Sequence, residues 1–455
     1  MTQMVELPLW VLILITGFAV YAAMEKVLAP SVRWFFRRRM ERAVAQVNKK
    51  LARPIEPFKL ARRHDMIQRL IYDPKVAEAV TEAAQEEGIP ENVAFERARK
   101  YAREIVPSFS AAAYFGFATR AAKWLSCSLF RVRLGHFDRT RLEAIDPDAT
   151  VIFVMNHRSN MDYVLVTFLA ADRAALSYAV GEWARVWPLQ QLIRAMGAYF
   201  IRRKSRNTLY RRVLARYVQL ATAGGVTQAV FPEGGLSLTG AVGEPRLGLL
   251  NYLVSGFDSK EGRDVVFIPV ALNYDRVLED RVLLNAAKEG SRKFRFSLLK
   301  MLGFVWRQIR FKLSGRFHRF GYAAVSFGEP LSLRSFMKGR KKATLTEVVG
   351  NELMARIRSV VPVLPVPLVA TVILAAQIPL TAQEVSARVE TLAEKLREHG
   401  AHVHIPRDSL AYAADKGLRL LVQRRMVKDL DQRFAADPDQ TDALQFYANS
   451  IAHLL

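Results

Sequence analysis

Thr150-Val-Ile-Phe-Val-Met155, running straight into Asn156-His157-Arg158-Ser159-Asn160-Met161-Asp162, is the stretch that decides the fold. Six β-branched, aromatic and apolar residues in a row read as a short strand buried on both faces. Ala198–Ile201, Val226–Phe231, Val265–Leu272 and Ala323–Phe327 read the same way. Between them, Leu209, Val213, Tyr217 and Leu220 recur at three- and four-residue spacing, which predicts a helix over Thr208–Ala223. Short apolar strands alternating with helices define an α/β fold with a sheet covered by helices.

In open α/β sheets, chemistry collects at the carboxyl ends of strands. His157 sits there, with Asp162 five residues on across a strand-to-helix turn. The aspartate can orient the imidazole while its other nitrogen takes a proton from a hydroxyl. The plainer reading is a histidine satisfied by a helix-capping aspartate. Gly197-Ala-Tyr-Phe200-Ile-Arg202-Arg203-Lys204 contains the candidate strand Ala198–Ile201 and places its basic residues just after it. It lies in a stretch, Trp183–Pro232, with nine basic residues and no acidic one. Such an edge suits a phosphate or simply stays solvated. Phe231-Pro-Glu233-Gly234-Gly-Leu236-Ser237 closes a further strand, where paired glycines permit close backbone approach or an ordinary turn. Pro269 lies inside a strand-like run, which restricts it to an edge, a strand start or a bulge.

With 455 residues the chain exceeds a single core, and its one cysteine, Cys127, excludes intrachain disulfides and a cysteine-based zinc site. The net charge is +24, and it is uneven. Val363–Leu455 has 10 basic and 11 acidic residues, so residues 1–362 carry the whole excess, +25. An anionic partner is implied: lipid, phosphorylated substrate or nucleic acid. Leu7–Met24 is a run without charge, long enough for most of a bilayer core, and Arg33, Arg37, Arg38, Arg39 and Arg42 follow it. It reads as a membrane anchor with the body on the cytoplasmic side. Gly290–Gly328 adds nine basic and no acidic residues among aromatics, the pattern of a segment lying in an anionic interface. The divisions expected are 1–29 as transmembrane anchor, 30–120 as an N-terminal helical module, 121–362 as the α/β domain and 363–455 as a mainly helical C-terminal domain. His399, His402 and His404 cluster without clean ligand spacing, so no metal is expected there.

In this order the four blocks resemble the glycerolipid acyltransferase family. His157 and Asp162 match its H-x4-D block. Gly197, Phe200, Ile201, Arg202 and Arg203 match the second, Phe231, Glu233, Gly234 and Ser237 the third, and Pro269 the fourth. HRSNMDYVLV and FPEGGLSLTG look most like the bacterial membrane-bound glycerol-3-phosphate acyltransferases. The resemblance implies an acyltransferase-type mixed sheet surrounded by helices. It also implies direct acyl transfer from acyl-CoA or acyl carrier protein to glycerol 3-phosphate, with His157 as base, no covalent intermediate and no cofactor. Phe200, Arg202, Arg203, Glu233, Gly234 and Ser237 would bind the acceptor, while Arg158, Gly197 and Pro269 complete the motifs. Backbone N–H groups at the start of the helix after His157 are expected to hold the oxyanion. The membrane and its lipids are expected partners, at the inner membrane, and nucleic acid is not. One departure stands out: the subfamily's E-G-G-R-S-R reads Glu233-Gly-Gly-Leu236-Ser-Leu238 here. Arg202, Arg203, Arg206 or Arg246 would have to replace the missing cations. Otherwise the acceptor differs, with lysophosphatidic acid, dihydroxyacetone phosphate and a lysophospholipid as alternatives, or the scaffold is non-catalytic.

Overall fold

Strand β2, Thr150–Met155, lies near the middle of the sheet and is buried at all six positions. The computed structural model describes residues 8–171, 173–181, 185–187, 189–202, 205–258, 261–290, 303, 306, 310, 314 and 319–455. Around β2 stand β1 (Arg131–Leu134), β3 (Ser177–Val180), β4 (Tyr199–Phe200), β5 (Gln228–Val230), β6 (Val265–Tyr274), β7 (Tyr322–Phe327) and β8 (Leu331–Ser332). Their order is β1-β7-β6-β2-β5-β3-β4, with β8 on β6. Pairing is parallel except where β6 meets β7 and β8, so the sheet is mixed.

Pro269 explains how one strand serves two partners. Toward β2 it faces Val154. On its other side β6 pairs β8 at Val266 and Phe267, then β7 from Val270 onward. A residue without an N–H falls in the gap between the two ladders, where none is required. Its carbonyl still accepts from Gly328 at 2.8 Å.

The alternation of side chains along β2 splits the core into two layers. Val151, Phe153 and Met155 point into one, with helices Met161–Ala170, Pro365–Ala375, Leu410–Gln423 and Thr441–Ala448. Ile152 and Val154 point into the other, with helices Arg63–Ile71, Pro74–Glu87, Glu91–Ile105, Thr208–Ala223 and Leu345–Ser359. Two of the N-terminal helices, Pro74–Glu87 and Glu91–Ile105, break at Gly88-Ile-Pro90. Gly88 closes one in the left-handed conformation, φ 63°, and Pro90 caps the next. C-terminally, four helices are joined by a second sheet, β10-β11-β9, from β9 (Leu380–Thr381), β10 (Val427–Leu430) and β11 (Arg433–Ala436).

Residues 1–55 form a separate compact unit from residues 56–455. Its helix, Leu9–Asn48, runs uninterrupted through the boundary expected at residue 29, and Asn48 Oδ1 accepts from Ile55 N at 2.9 Å. Leu9, Trp10, Ile13, Leu14 and Phe18 on this helix are exposed. Among the described residues no helix is long and apolar enough to cross a membrane. Most of the basic aromatic segment, and Arg203 with it, lies outside the described residues.

Candidate active site

His157 leaves the end of β2 in a turn that its own backbone stabilises. Asp162, in the first turn of helix Met161–Ala170, folds back over residues 157–159. Its Oδ2 accepts from Arg158 N at 2.7 Å and Ser159 N at 3.0 Å and lies 2.9 Å from His157 Nδ1. Its Oδ1 accepts from the Tyr274 hydroxyl at 2.7 Å. His157 is 2% exposed and Asp162 0%. The bland reading, a capping aspartate, and the chemical one describe the same atoms: the cap also fixes the imidazole tautomer.

The third block closes over this turn. Glu233 Oε1 accepts from His157 N at 2.9 Å, and Oε2 accepts from Gly243 N at 3.1 Å. Ser237 N donates to the His157 carbonyl at 2.9 Å, and Ser237 Oγ donates to Ala241 O at 2.7 Å. Glu233 and Ser237 thus shape the loop around His157. Gly234, at φ 66°, brings Arg246 onto the loop, since a Cβ there would meet Arg246 Cδ at 2.7 Å. The Phe231 ring stacks on the imidazole, centroids 4.0 Å apart. Leu236 and Leu238 pack against the core.

Burial pushes Glu233 up to about 7, against the pull of the His157 and Gly243 amides and the Arg158 charge. Its ordinary value is about 4.3, so the folded state binds the extra proton across that window. The stability that Glu233 contributes is present below about 4.3 and lost as pH rises through about 7. Glu233→Gln cannot ionise, so its melting temperature relative to the parent should climb between those pH values and level off above them. A constant difference across the range would show that Glu233 does not titrate there.

The second block ends elsewhere than expected of a free anion site. Arg202 forms a bidentate pair with Glu104, Nε–Oε1 2.9 Å and Nη2–Oε2 2.6 Å. Its guanidinium lies 5.3 Å and 5.2 Å from the rings of Tyr101 and Tyr210. The pair takes up Nε and one Nη2 hydrogen, so a phosphate at Arg202 would share the guanidinium with Glu104. Phe200 is fully buried, with Arg185 and Arg194 over its ring. Gly197, at φ 85°, packs against Phe109 and Lys59. The amides expected to hold an oxyanion are committed as well. Besides the Arg158 and Ser159 amides on Asp162, Asn160 N donates to Glu279 Oε1 at 3.1 Å and Met161 N to Ser159 Oγ at 3.1 Å. Asp162 N donates to Ser159 O at 3.0 Å. The turn spends these donors on its own rigidity.

Tyr274 and Glu279 were not singled out from the sequence. Tyr274 ends the β6 strand, four residues beyond the Val270 that pairs with Met155 at the end of β2, and its hydroxyl reaches Asp162 from there. Glu279 accepts from Ser159 Oγ at 2.7 Å, and no sequence pattern marked it. Burial raises both above their ordinary values. Of the three clustered histidines, His402 stacks on His136 at 4.2 Å and His404 packs on Tyr322. Among the described residues no group of three or more His, Cys, Asp or Glu is placed to hold a metal.

Beside the dyad a cavity of about 260 Å³ opens between helices Thr119–Leu129 and Leu189–Ala195. Tyr163, Asn160, Val164, Leu125, Ala121 and Phe117 are among its lining, which is almost wholly apolar. Phe117 and Ala118 come from a π-helical turn, Ala112–Ala118, a feature frequent at functional sites.

The site is thus a buried histidine–aspartate pair at a strand end, backed by a glutamate–glycine loop, with an apolar cavity nearby. Residues 136–273 match the family model described as acyltransferase, and residues 305–455 match that of the glycerol-3-phosphate acyltransferase C-terminal region. The chain is 29% identical over 419 residues to a glycerol-3-phosphate acyltransferase of Aeromonas hydrophila, covering 87% of this chain and 50% of that one. Against the glycerol-3-phosphate acyltransferase of Pseudomonas putida it is 29% identical, over 64% of this chain and 34% of that one. The chain thus spans half or less of the length of these relatives. The solved 1-acyl-sn-glycerophosphate acyltransferase of Thermotoga maritima is 20% identical, with TM-score 0.31, over 57% of this chain and 82% of that one.

Proposed function

We propose that this protein transfers a fatty acyl group from acyl-CoA or acyl carrier protein to the sn-1 hydroxyl of glycerol 3-phosphate, giving lysophosphatidic acid. The observation that carries the reading is the Asp162-oriented His157, whose ring meets Tyr163 of the apolar cavity's lining. The names of the relatives support the acceptor. His157 Nε2 takes the hydroxyl proton as the oxygen attacks the thioester carbonyl carbon. The carbon–sulfur bond breaks, and the departing thiolate collects the proton from the imidazolium. The cavity holds the acyl tail. No residue is acylated on the way, and no cofactor takes part.

Arg246 is the cation best placed to replace the arginines that Leu236 and Leu238 displace. It is exposed, anchored by its own amide to Pro232 O at 2.8 Å, and laid across Gly234. A charge-assisted contact of about 1.5–3 kcal/mol corresponds to roughly 10- to 100-fold in affinity. Arg246→Ala should raise the Michaelis constant for the acceptor by that factor and leave the donor's unchanged. A shift in the donor constant instead would assign Arg246 to the CoA or carrier phosphates.

The exposed apolar run from Leu9 and the basic residues after it support attachment to the inner membrane, with the catalytic unit on the cytoplasmic face. There a lipid product leaves sideways into the bilayer. The tail pocket is testable by volume. Ala121→Phe should move preference toward shorter acyl chains, by about tenfold or more in the ratio of kcat/KM values for a long and a short donor. An unchanged ratio would place the tail elsewhere. The deciding experiment for the activity is acyl-thioester consumption with a panel of acceptors. Product formed with glycerol 3-phosphate is expected; turnover confined to lysophosphatidic acid, dihydroxyacetone phosphate or an unphosphorylated acceptor would overturn the assignment.

A further inference from the structure

Arg158, next to His157, is 1% exposed and is not part of the cavity lining. One guanidinium nitrogen donates to the Gly240 carbonyl. The plane lies over the Phe446 ring, 5.1 Å from its centroid. Gly240 also abuts the C-terminal helix Thr441–Ala448. At φ 84°, a Cβ there would sit 1.8 Å from the Phe446 carbonyl oxygen. One turn on, Asn449 Nδ2 donates to Thr239 O at 2.8 Å.

The helix behind this contact is itself pinned to the sheet. The Tyr447 hydroxyl accepts from Val277 N at 3.1 Å and bonds Asp280 Oδ2 at 2.6 Å, and Asn273 Nδ2 donates to Ser450 Oγ at 3.2 Å. The loop in front of it, Ser237–Gly243, makes the Ser237–His157 and Gly243–Glu233 hydrogen bonds that hold the site. The C-terminal helix, Arg158 and the loop therefore form one chain of contacts ending at His157.

We propose that Arg158 is a positioning residue, a clamp through which the C-terminal helix holds the Glu233-bearing loop against His157. Burying a guanidinium is costly unless it holds something, and the Asp162 and Glu233 charges nearby favour it. The glycine at 240 admits the close approach, and Phe446 supplies the face on which the guanidinium lies.

The test is amide hydrogen exchange on the full-length protein, together with kinetics. Arg158→Met should speed exchange at Ser237 and Gly243 about tenfold or more, while strand amides of β2 and β6 keep their protection. Phe446→Leu should do the same more weakly, and Arg158→Lys, which restores a donor and a charge, should recover part of the protection. In the same variants kcat should fall about tenfold or more and the donor Michaelis constant should hold within about twofold. Unchanged exchange at both amides overturns the clamp, as does an equal acceleration across the whole sheet. If Arg158→Met does not fold, Phe446→Leu decides alone by the same criteria. The kinetic arm rests on the acyl-transfer reading; the exchange arm does not. A parent protein inactive toward every acceptor would sink that reading and leave the clamp standing.

Discussion

His157→Ala is expected to give a folded protein whose acyl transfer falls by about 10²–10⁴-fold or more, the usual weight of a positioned base. The acceptor hydroxyl is a poor nucleophile unless its proton is removed as it attacks, and in this site the imidazole is the group oriented for it. Folding should survive, because the turn is held mainly by backbone groups: the Arg158 and Ser159 amides on Asp162, the residue-157 amide on Glu233, and the residue-157 carbonyl on the Ser237 amide. Alanine keeps every one of these. What it removes is the ring, its contact with Asp162 and its stacking on Phe231. The check is turnover with glycerol 3-phosphate beside a melting curve. Turnover near the parent's in a well-folded variant would end the general-base mechanism.

The contrast between backbone-held and side-chain-held features also explains how much the sequence disclosed. Thr150–Met155 and Thr208–Ala223 match their expected bounds because apolar run length and helical spacing are local signals. The His157–Asp162 pair was legible for the same reason: five residues across a strand-to-helix turn bring the two side chains together. β1 was missed, since Arg131-Val-Arg-Leu134 carries two charges and gains strand character only from pairing with β7. The β10–β11 hairpin was missed because its turn, Asp431-Gln432, takes positive φ at both positions without a glycine to announce it. The Arg202–Glu104 pair carries no local signal, because Glu104 lies 98 residues earlier in the chain. Tyr274 and the Arg158–Phe446 contact are products of tertiary packing, and no local pattern carries them.

Asp162→Asn should reduce kcat severely, about 10²–10⁴-fold, while the protein keeps its fold. Oδ2 takes three donors, His157 Nδ1 and the amides of Arg158 and Ser159, and Oδ1 takes the Tyr274 hydroxyl. An asparagine has one oxygen and one NH2 group. Set with its oxygen toward the three donors, it satisfies all of them, and the NH2 group then faces Tyr274, whose hydroxyl can turn from donor to acceptor. The turn and the imidazole tautomer both survive. The negative charge does not, and that charge stabilises the imidazolium that forms as the acceptor proton is taken. The loss should therefore appear in kcat, with both Michaelis constants little changed. Tyr274→Phe provides the companion measurement, because it removes one hydrogen bond from the aspartate and leaves the charge. Its kcat should drop only about tenfold, the weight of a hydrogen bond to a charged group at the low end of about 1.5–3 kcal/mol. If Asp162→Asn were no worse than Tyr274→Phe, Asp162 would be a helix cap with no electrostatic part in the chemistry.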